Sequence, residues 1–415
     1  MATTAAAATT TLRSRQRALS GVRITVWQAV LYSRVVVVAA GMWGAQLAVK
    51  VPGWQRFDPH GISIGMGPLG NLLGAASVRW DAISYIGLAE HGYTSARESV
   101  YYPLYSILIR LVMFVVGSPV IAGVLVSLGA FAIGLELIHR LARWHLGTRV
   151  ADATVLLMAF SPFSFVFSAV YSASLLMACA VGAFYLARQG RFVLAAVVAT
   201  CAALARVEGI LLLGPLALMY WNSRGRPRNL SGLWSGSLAA LALPVLALGG
   251  FLTYLHQQGW GWLAPFTNQN PVNTGRSLVG PPLALAESVR DTGVELIQQL
   301  HGTTLVSDGV LVPAAQNVFY LGVLAVAILG LISAWRLLPK EYVLFGALAI
   351  IVFTSSAVAM EPLKGIDRYM LPIFPLWIGV AAWAEKRGLM PLVMALSSVM
   401  LVFYTVEFTR WVSVF

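Results

Sequence analysis

Long apolar runs recur along nearly the whole chain, and short polar connections separate them. We predict that eleven of these runs are transmembrane helices, at residues 25–48, 119–142, 150–167, 170–187, 192–205, 209–221, 232–255, 315–335, 341–359, 369–384 and 389–409. A run of about 20 apolar residues can cross about 30 Å of hydrocarbon. In lipid such a run must be helical, because every backbone N–H and C=O needs an internal partner. The pattern therefore predicts an all-α polytopic membrane protein.

One further apolar run, at 103–116, is predicted to be a re-entrant or surface-lying helix rather than a crossing. The reason is the distribution of basic residues, which concentrate in six short clusters within 13–23, 140–149, 188–191, 224–228, 336–340 and 386–387. Cytoplasmic loops carry an excess of Lys and Arg. If 103–116 does not cross, all six clusters lie on the cytoplasmic side.

This topology divides the chain into a tail and one membrane domain. Residues 1–24, which begin with an Ala/Thr-rich stretch, are predicted to be a disordered cytoplasmic tail and not a cleaved signal peptide, because the apolar run that follows lacks a small-residue cleavage site. Residues 25–415 form a single transmembrane domain. Its extracytoplasmic face receives the loops 50–117 and 257–314 and the turn 360–368.

Composition supports the membrane assignment and excludes several other classes. Of the 415 residues, 58% are hydrophobic and only 11% are charged, whereas soluble domains have roughly 25% charged residues. The net charge of +12 lies in the six clusters beside apolar runs, so it indicates topology and not nucleic-acid binding. Cys179 and Cys201 lie inside apolar runs and provide neither a disulfide framework nor a metal spacing. We predict no cofactor and no metal site.

The polar stretch VRWDAISYIGLAEHGYTSARESVYYPLYS, at 78–106, interrupts this apolar pattern. As a surface helix it would place Asp81 and Tyr85 on one face and Glu90 on the other, about 13 Å away along the axis. A lone carboxylate among aromatic residues suits glycosyl transfer from a lipid-phosphate donor, because the phosphate leaves as an anion and one general base suffices. An interfacial helix with solvated carboxylates accounts for the bare residues equally well.

The motif RWDAISYIGLAEHGY, followed by YYPLYS, resembles the first-loop signature of PIG-V-type mannosyltransferases (GPI mannosyltransferase II and its prokaryotic relatives). The resemblance continues in family order through SPFSFVFSAVYSAS, ARVEGILLL and GIDRYMLPIFPL, from Arg79 to Leu376. The chain departs from the family at Ala173, where the family has Glu, at Ser106 in place of Pro, and in the VEG segment. The resemblance implies a GT-C-like bundle of about 11 transmembrane helices with surface helices in the first extracytoplasmic loop, polyprenyl-phosphate-sugar donors, and a catalytic aspartate at Asp81.

Several other polar residues are predicted to bind substrate. Arg206, Arg368 and Lys364 are assigned to the donor phosphate, with headgroup contact or snorkelling as the alternative for each. A charge near mid-membrane costs about 2.5–3.5 kcal/mol on insertion scales, which favours a function for Arg206. Arg206 and Glu208 are predicted to pair elsewhere, since residues two apart on a helix do not face each other. The remaining predicted substrate-binding residues are Arg79, Trp80, Tyr85, His91, Tyr93, Tyr102 and Tyr171.

These observations predict an integral membrane mannosyltransferase that uses polyprenyl-phosphate-mannose and inverts the anomeric carbon. The reaction is expected on the extracytoplasmic side, in the plasma membrane of a bacterium or the endoplasmic reticulum of a eukaryote. Expected partners are membrane lipids, the donor, and a glycolipid, glycan or protein acceptor, with no nucleic acid. The alternatives are a transporter or lipid flippase, for which polar groups should lie mid-helix on several crossings, and a transferase of the same fold for another sugar.

Overall fold

The computed structural model of the chain describes residues 25–47, 51, 53–225, 236–269, 275–301 and 313–414. The tail predicted for 1–24 lies outside these residues. The helices are α1 (Val26–Gln46), α2 (Gly67–Leu73), α3 (Asp81–His91), α4 (Pro103–Val116), α5 (Pro119–Leu146), α6 (Thr148–Ala159), α7 (Ala173–Arg188), α8 (Phe192–Ala205), α9 (Leu213–Ser223), α10 (Gly236–Ala240), α11 (Leu243–Gln257), α12 (Ala264–Thr267), α13 (Pro281–Leu300), α14 (Pro313–Leu337), α15 (Lys340–Phe353), α16 (Ile366–Met370), α17 (Phe374–Arg387) and α18 (Met390–Thr409).

The predicted all-α membrane class is confirmed, and a helix overlaps each of the eleven predicted crossings. In the part of the chain that the structure describes, five helices are long and apolar enough to span a bilayer: Val26–Gln46, Pro119–Leu146, Leu238–Gln257, Gln316–Leu337 and Met390–Thr409. The exact number of crossings stays a prediction. The crossing predicted for 341–359 is wrong at its end, because the helix stops at Phe353 and a short strand follows.

Glycines allow several of the long helices to approach at backbone distance. A Cβ on Gly379 of α17 would lie 2.0 Å from the carbonyl oxygen of Gly330 on α14, and a Cβ on Gly330 would lie 2.4 Å from the oxygen of Leu376. Lipid gives no hydrophobic drive for helices to associate, so close van der Waals packing at small residues takes its place. These glycines therefore fix the spacing between α14 and α17.

An arginine buried in α1 ties this helix to the turn between α6 and α7. Arg34 is 8% exposed, and its guanidinium donates to the oxygen of Ser164 at 2.7 Å, to Ser168 Oγ at 2.9 Å and to the oxygen of Ala159 at 3.2 Å. It also lies 4.8 Å from the centre of the Phe131 ring. Neutral acceptors thus solvate a charge that would otherwise be costly inside the membrane.

The described part of the loop predicted at 50–117 contains several short helices. The helix predicted around the motif begins at Asp81, because Trp80 has a left-handed backbone (φ 55°) that cannot continue a helix. The run 103–116 is a helix, α4, of 14 residues and therefore about 21 Å long. This length is shorter than the hydrocarbon core. It suits the re-entrant or surface placement, which stays a prediction.

Two segments that are distant in sequence meet in a short β ribbon. Strand β1 (Arg276–Leu278) pairs antiparallel with β2 (Ser356–Val358), with Arg276 opposite Val358 and Ser277 opposite Ala357. Successive residues of a strand point to opposite faces. The side chain of Arg276 therefore lies on one face of the ribbon and the side chain of Ser277 lies on the other face.

Candidate active site

Polar residues from four distant segments of the chain converge on one cavity of about 330 Å³. Its ionisable lining consists of Asp81, Arg206, Glu208, Arg276, Lys364 and Arg368, together with the tyrosines Tyr85, Tyr101, Tyr102 and Tyr369. The structure thus brings together Asp81, Arg206 and Arg368, which are far apart in sequence and which the motif analysis had placed in one site.

Asp81 is the first residue of α3, and its side chain has two hydrogen-bond partners. Its Oδ2 accepts from Arg368 Nη1 at 2.6 Å, and its Oδ1 accepts from the Tyr101 hydroxyl at 3.2 Å. As the first residue of the helix, its carboxylate also lies at the positive end of the helix dipole. Its side chain is 27% exposed, so the carboxylate is held by two partners and still open to the cavity.

A cluster of aromatic rings supports the strained residue that precedes Asp81. The Trp80 ring lies 4.5 Å from Phe57 and 5.8 Å from Trp411, measured between ring centres. A positive φ at a bulky residue costs of order 1–3 kcal/mol and persists only where the surroundings enforce it. Packing of Trp80 therefore sets the direction in which α3 leaves the motif, and with it the position of Asp81.

Arg206 and Glu208 form an ion pair, so the prediction that each pairs elsewhere is wrong. Arg206 Nη2 lies 2.9 Å from Glu208 Oε1, and Nε lies 3.2 Å from Oε2. The prediction assumed helical geometry, but Arg206 is extended (φ −159°, ψ 147°) and a 3-10 helix begins at Val207. The extended backbone turns both side chains toward the same cavity. Glu208 is 7% exposed and Arg206 is half-buried.

Arg276 on β1 is a cavity residue that the sequence analysis missed. Its Nη2 donates to the carbonyl oxygen of Lys364 at 2.9 Å, and Nη1 lies 3.4 Å from Ser356 Oγ. The only sequence signal was its position as one of two arginines in the Gly-, Pro- and Asn-rich loop 257–314. Nothing in that pattern indicates that β1 would pair with β2 and turn Arg276 toward Asp81.

Three guanidinium groups surround the ring of Tyr369. The centre of this ring lies 5.1 Å from Arg368, 5.2 Å from Arg206 and 5.5 Å from Arg276, measured to each Cζ. Tyr369 also stacks on Phe353 at 4.8 Å. The ring thus holds three cations close together.

The positive charge of the cavity exceeds its negative charge. Arg368 pairs with Asp81, Arg206 pairs with Glu208, and Lys364 pairs with Glu361 at 2.5 Å. Among the described residues, no carboxylate lies within ion-pair distance of Arg276. One positive charge therefore faces the cavity without a matching carboxylate, which makes the site suited to an anion.

Two of the predicted site residues lie directly beneath the cavity and not in its lining. Arg79 is 4% exposed, donates from Nε to the oxygen of Thr409 at 2.9 Å, and stacks over Trp411. Burial lowers the pKa of Arg79 to about 10. Tyr171 is 1% exposed and donates to the carbonyl oxygen of Arg79 at 3.2 Å. Both residues therefore contact the backbone that carries Asp81.

Two further predicted site residues lie to one side of the cavity. His91 is exposed, and its Nδ1 lies 3.3 Å from the oxygen of Gly87 in its own helix. The Tyr93 hydroxyl donates to the carbonyl oxygen of Tyr101 at 2.5 Å. Tyr93 therefore fixes the backbone of a tyrosine that contacts Asp81.

In the described part of the chain, no group of three or more His, Cys, Asp or Glu side chains is placed to hold a metal ion.

Comparison with known proteins identifies the family that the motif-bearing part resembles. Residues 68–223 match the family model described as Mannosyltransferase (PIG-V). No curated protein matches the chain. Among solved structures, the oligosaccharyltransferase from Archaeoglobus fulgidus matches in the apo form with a TM-score of 0.44 at 12% identity, covering 94% of this chain and 56% of that one.

Two more solved structures are also similar to this chain. The same archaeal enzyme in complex with Zn and sulfate matches with a TM-score of 0.40 at 13% identity, over 93% of this chain and 53% of that one. ArnT from Cupriavidus metallidurans, bound to undecaprenyl phosphate, matches with a TM-score of 0.37 at 14% identity, over 92% of this chain and 76% of that one. The chain spans about half the length of the archaeal structures. Over residues 68–223, which contain Asp81 and Arg206, this chain matches the Mannosyltransferase (PIG-V) family, and the resemblance stated from its motifs is confirmed.

Proposed function

We propose that this protein is a membrane mannosyltransferase that moves mannose from polyprenyl-phosphate-mannose to an acceptor hydroxyl. The observation that carries the proposal is the single cavity in which Asp81 lies beside a cluster of cations that includes Arg206, Arg276 and Arg368. The match of residues 68–223 to a mannosyltransferase family supports the choice of sugar. We place the reaction on the extracytoplasmic side, because α8 and α15 each start beside a basic residue, Arg191 or Lys340, and end at the cavity, and basic residues favour the cytoplasmic ends of helices.

In this proposal the arginines bind the phosphodiester of the donor. The phosphodiester carries one negative charge, which matches Arg276, the lining cation that has no carboxylate partner among the described residues. Arg368 already contacts Asp81 through Nη1. A guanidinium has five donors in a planar fork, so Arg368 can contact a phosphate oxygen while it holds Asp81. Arg368 would then lie between the phosphate and the carboxylate, which sets the leaving group next to the base.

Asp81 acts as the general base. Its carboxylate accepts the proton of the acceptor hydroxyl while the hydroxyl oxygen attacks the anomeric carbon of mannose. The bond between that carbon and the phosphate oxygen breaks, and both electrons leave with the polyprenyl phosphate. Because the attack and the departure occur on opposite faces, the anomeric configuration inverts. The product phosphate gains a negative charge, which the arginines stabilise as it develops.

Tyrosines enclose the space between the base and the phosphate-binding arginines. Tyr85, Tyr101 and Tyr102 line the cavity, and the rings of Tyr85 and Tyr101 lie 5.0 Å apart with an interplanar angle of 72°. Rings in this position supply apolar faces for the sugar and exclude water from the anomeric carbon. Exclusion of water favours transfer to the acceptor over hydrolysis of the donor.

The test is transfer of tritiated mannose from polyprenyl-phosphate-mannose to membrane acceptors by the purified chain in nanodiscs. Asp81→Asn keeps the shape of the side chain and removes the base, so we expect a loss of 100- to 10,000-fold in rate. Glu90→Gln is the matched control, because Glu90 is exposed on the same helix, and it should keep full activity. Full transfer by Asp81→Asn would remove the proposed base.

Two further arms of this experiment test the alternatives. Polyprenyl-phosphate-glucose in place of the mannose donor tests the choice of sugar. Uptake of the labelled lipid across proteoliposomes without a glycosylated product would favour a flippase.

A further inference from the structure

A second polar cavity, of about 540 Å³, lies on the other side of the β ribbon. Ser277 of β1 lines this cavity, whereas its neighbour Arg276 lines the candidate active site. Val358 of β2 lines both cavities. The two spaces are therefore adjacent, and the ribbon is the element between them.

Helix α13 forms the outer wall of this second cavity. Glu287, Asp291 and Glu295 recur every four residues, so they share one helix face, and all three line the cavity. The opposite face is apolar and exposed, with exposed fractions of 42% at Leu285, 57% at Val289, 42% at Leu296, 57% at Ile297 and 85% at Leu300. A helix that turns its polar face inward and its apolar face outward is expected to contact lipid with the outer face.

Glu295 offers an unused hydrogen-bond acceptor inside this cavity. The residue is 6% exposed, and its Oε2 accepts from Asn317 Nδ2 at 3.0 Å. Its Oε1 is buried and has no hydrogen-bond partner within the part of the chain that the structure describes. A buried acceptor without a partner costs about 1–3 kcal/mol, so its presence points to a donor that the described residues do not supply.

We propose that this second cavity binds the glycosyl head group of a membrane-borne acceptor and presents its hydroxyl to Asp81 past Val358. The inference rests on the proposed function, since it assigns the acceptor side of the same reaction. The cavity lies between the lipid-facing surface of α13 and the active site. An acceptor anchored in lipid therefore reaches it without leaving the membrane surface.

The charges of this cavity select the chemistry of the head group. Arg290 pairs with Asp291 at 2.8 Å, and among the described residues no cation lies within ion-pair distance of Glu287 or Glu295, which both line the cavity. Two such carboxylates repel a phosphate. They accept hydrogen bonds from the hydroxyls of a neutral sugar, and Ser277 and Gln298 add further polar groups.

The first measurement follows binding and does not depend on catalysis. The probe is octyl α-mannoside with a diazirine in the octyl chain, photoactivated on the full chain in nanodiscs. Wild type should be labelled on α13 and β2 peptides, and excess octyl α-mannoside should protect them. Glu295→Gln and Glu287→Gln should each reduce labelling about tenfold, because each removes the charge of an acceptor. Glu90→Gln is the control and should be labelled as wild type. Labelling of peptides outside α13 and β2 would overturn the inference. Protection by octyltrimethylammonium, which has the same octyl chain but no sugar, without protection by octyl α-mannoside would also overturn it.

The second measurement separates this inference from the proposed function. With polyprenyl-phosphate-mannose as donor, octyl α-mannoside is the acceptor in one assay and water is the acceptor in the other. Glu295→Gln should raise the KM for octyl α-mannoside about tenfold and leave donor hydrolysis at the wild-type rate. An unchanged KM in Glu295→Gln and Glu287→Gln refutes the acceptor cavity while the transferase stands. If wild type consumes no donor, the proposed function fails, and the photolabelling still decides whether the cavity binds a glycoside.

Discussion

Replacement of Arg276 by Gln tests the phosphate-binding role of the residue that joins the second large loop to the active site. The change removes the charge and keeps an amide donor in place of the guanidinium fork. Arg276 makes its own contacts to the oxygen of Lys364 at 2.9 Å and to Ser356 Oγ at 3.4 Å. The backbone ladder of β1 with β2 holds this segment independently of the side chain. We therefore expect the variant to fold.

The expected effect follows from the charge balance of the cavity. Arg276 is the lining cation without a carboxylate partner among the described residues, so its removal takes away the charge that matches the donor phosphodiester. A hydrogen bond to a charged group contributes about 1.5–3 kcal/mol. Since each 1.4 kcal/mol is a factor of ten, the KM for polyprenyl-phosphate-mannose should rise about 10- to 100-fold. The value of kcat should also fall, but by less than the KM rises, because most of the contact already exists in the bound substrate and only the charge that develops on the leaving phosphate adds to it.

Steady-state kinetics in nanodiscs with varied donor give both constants. Arg97→Gln is the matched control, because Arg97 is an exposed arginine of the first loop and should give wild-type constants. Arg276→Lys should lie between the wild type and the Gln variant, since it keeps the charge and loses the fork. A donor KM within twofold of wild type in Arg276→Gln would refute the reasoning.

Three further changes test the fold around the site. Burial raises the pKa of Asp367 to about 7. The contribution of its protonated form to stability is therefore present below about pH 4 and is lost, by about 4 kcal/mol, as the pH rises through 7. Asp367→Asn should show a weaker fall in Tm from pH 5 to 8 than wild type, and parallel curves of Tm against pH for the two proteins would contradict this. Gly379→Ala should lower Tm by forcing α14 and α17 apart, at a cost of about 1–3 kcal/mol, whereas Gly322→Ala on α14, whose added Cβ meets nothing within 4 Å, should not. Arg34→Lys loses the planar fork that reaches Ser164 and should also lower Tm, and an unchanged Tm would show that this fork is dispensable.

Hydrophobic patterning predicted the class of the protein and the place of its helices. Apolar runs identified α8 at its observed bounds, 192–205, although this run is short for a crossing. The same reasoning extended a crossing to residue 359, where the chain instead forms β2. Within this stretch, residues 356–358 pair with a strand about 80 positions away, and a local pattern carries no information about that partner.

The candidate site was predictable where a motif marked it. Asp81, Arg206 and Arg368 each lie in a block with family resemblance, and the structure brings all three to one cavity. Arg276 was missed because its place depends on strand pairing. The pairing of Arg206 with Glu208 was missed because side-chain directions followed from an assumed helix, whereas the backbone there is extended. Arg34 was visible as a charge within the first apolar run, yet its partners lie more than 120 residues away.

The pairing of β1 with β2 also limits how this protein can change in evolution. Because side chains alternate along a strand, insertion or loss of a single residue inside β1 would exchange the directions of Arg276 and Ser277. The guanidinium would then enter the space lined by Glu287 and Glu295, and the hydroxyl would enter the space beside Asp81. Insertions and deletions should therefore accumulate in the connections outside these three residue pairs, while the number of residues within the two strands stays constant.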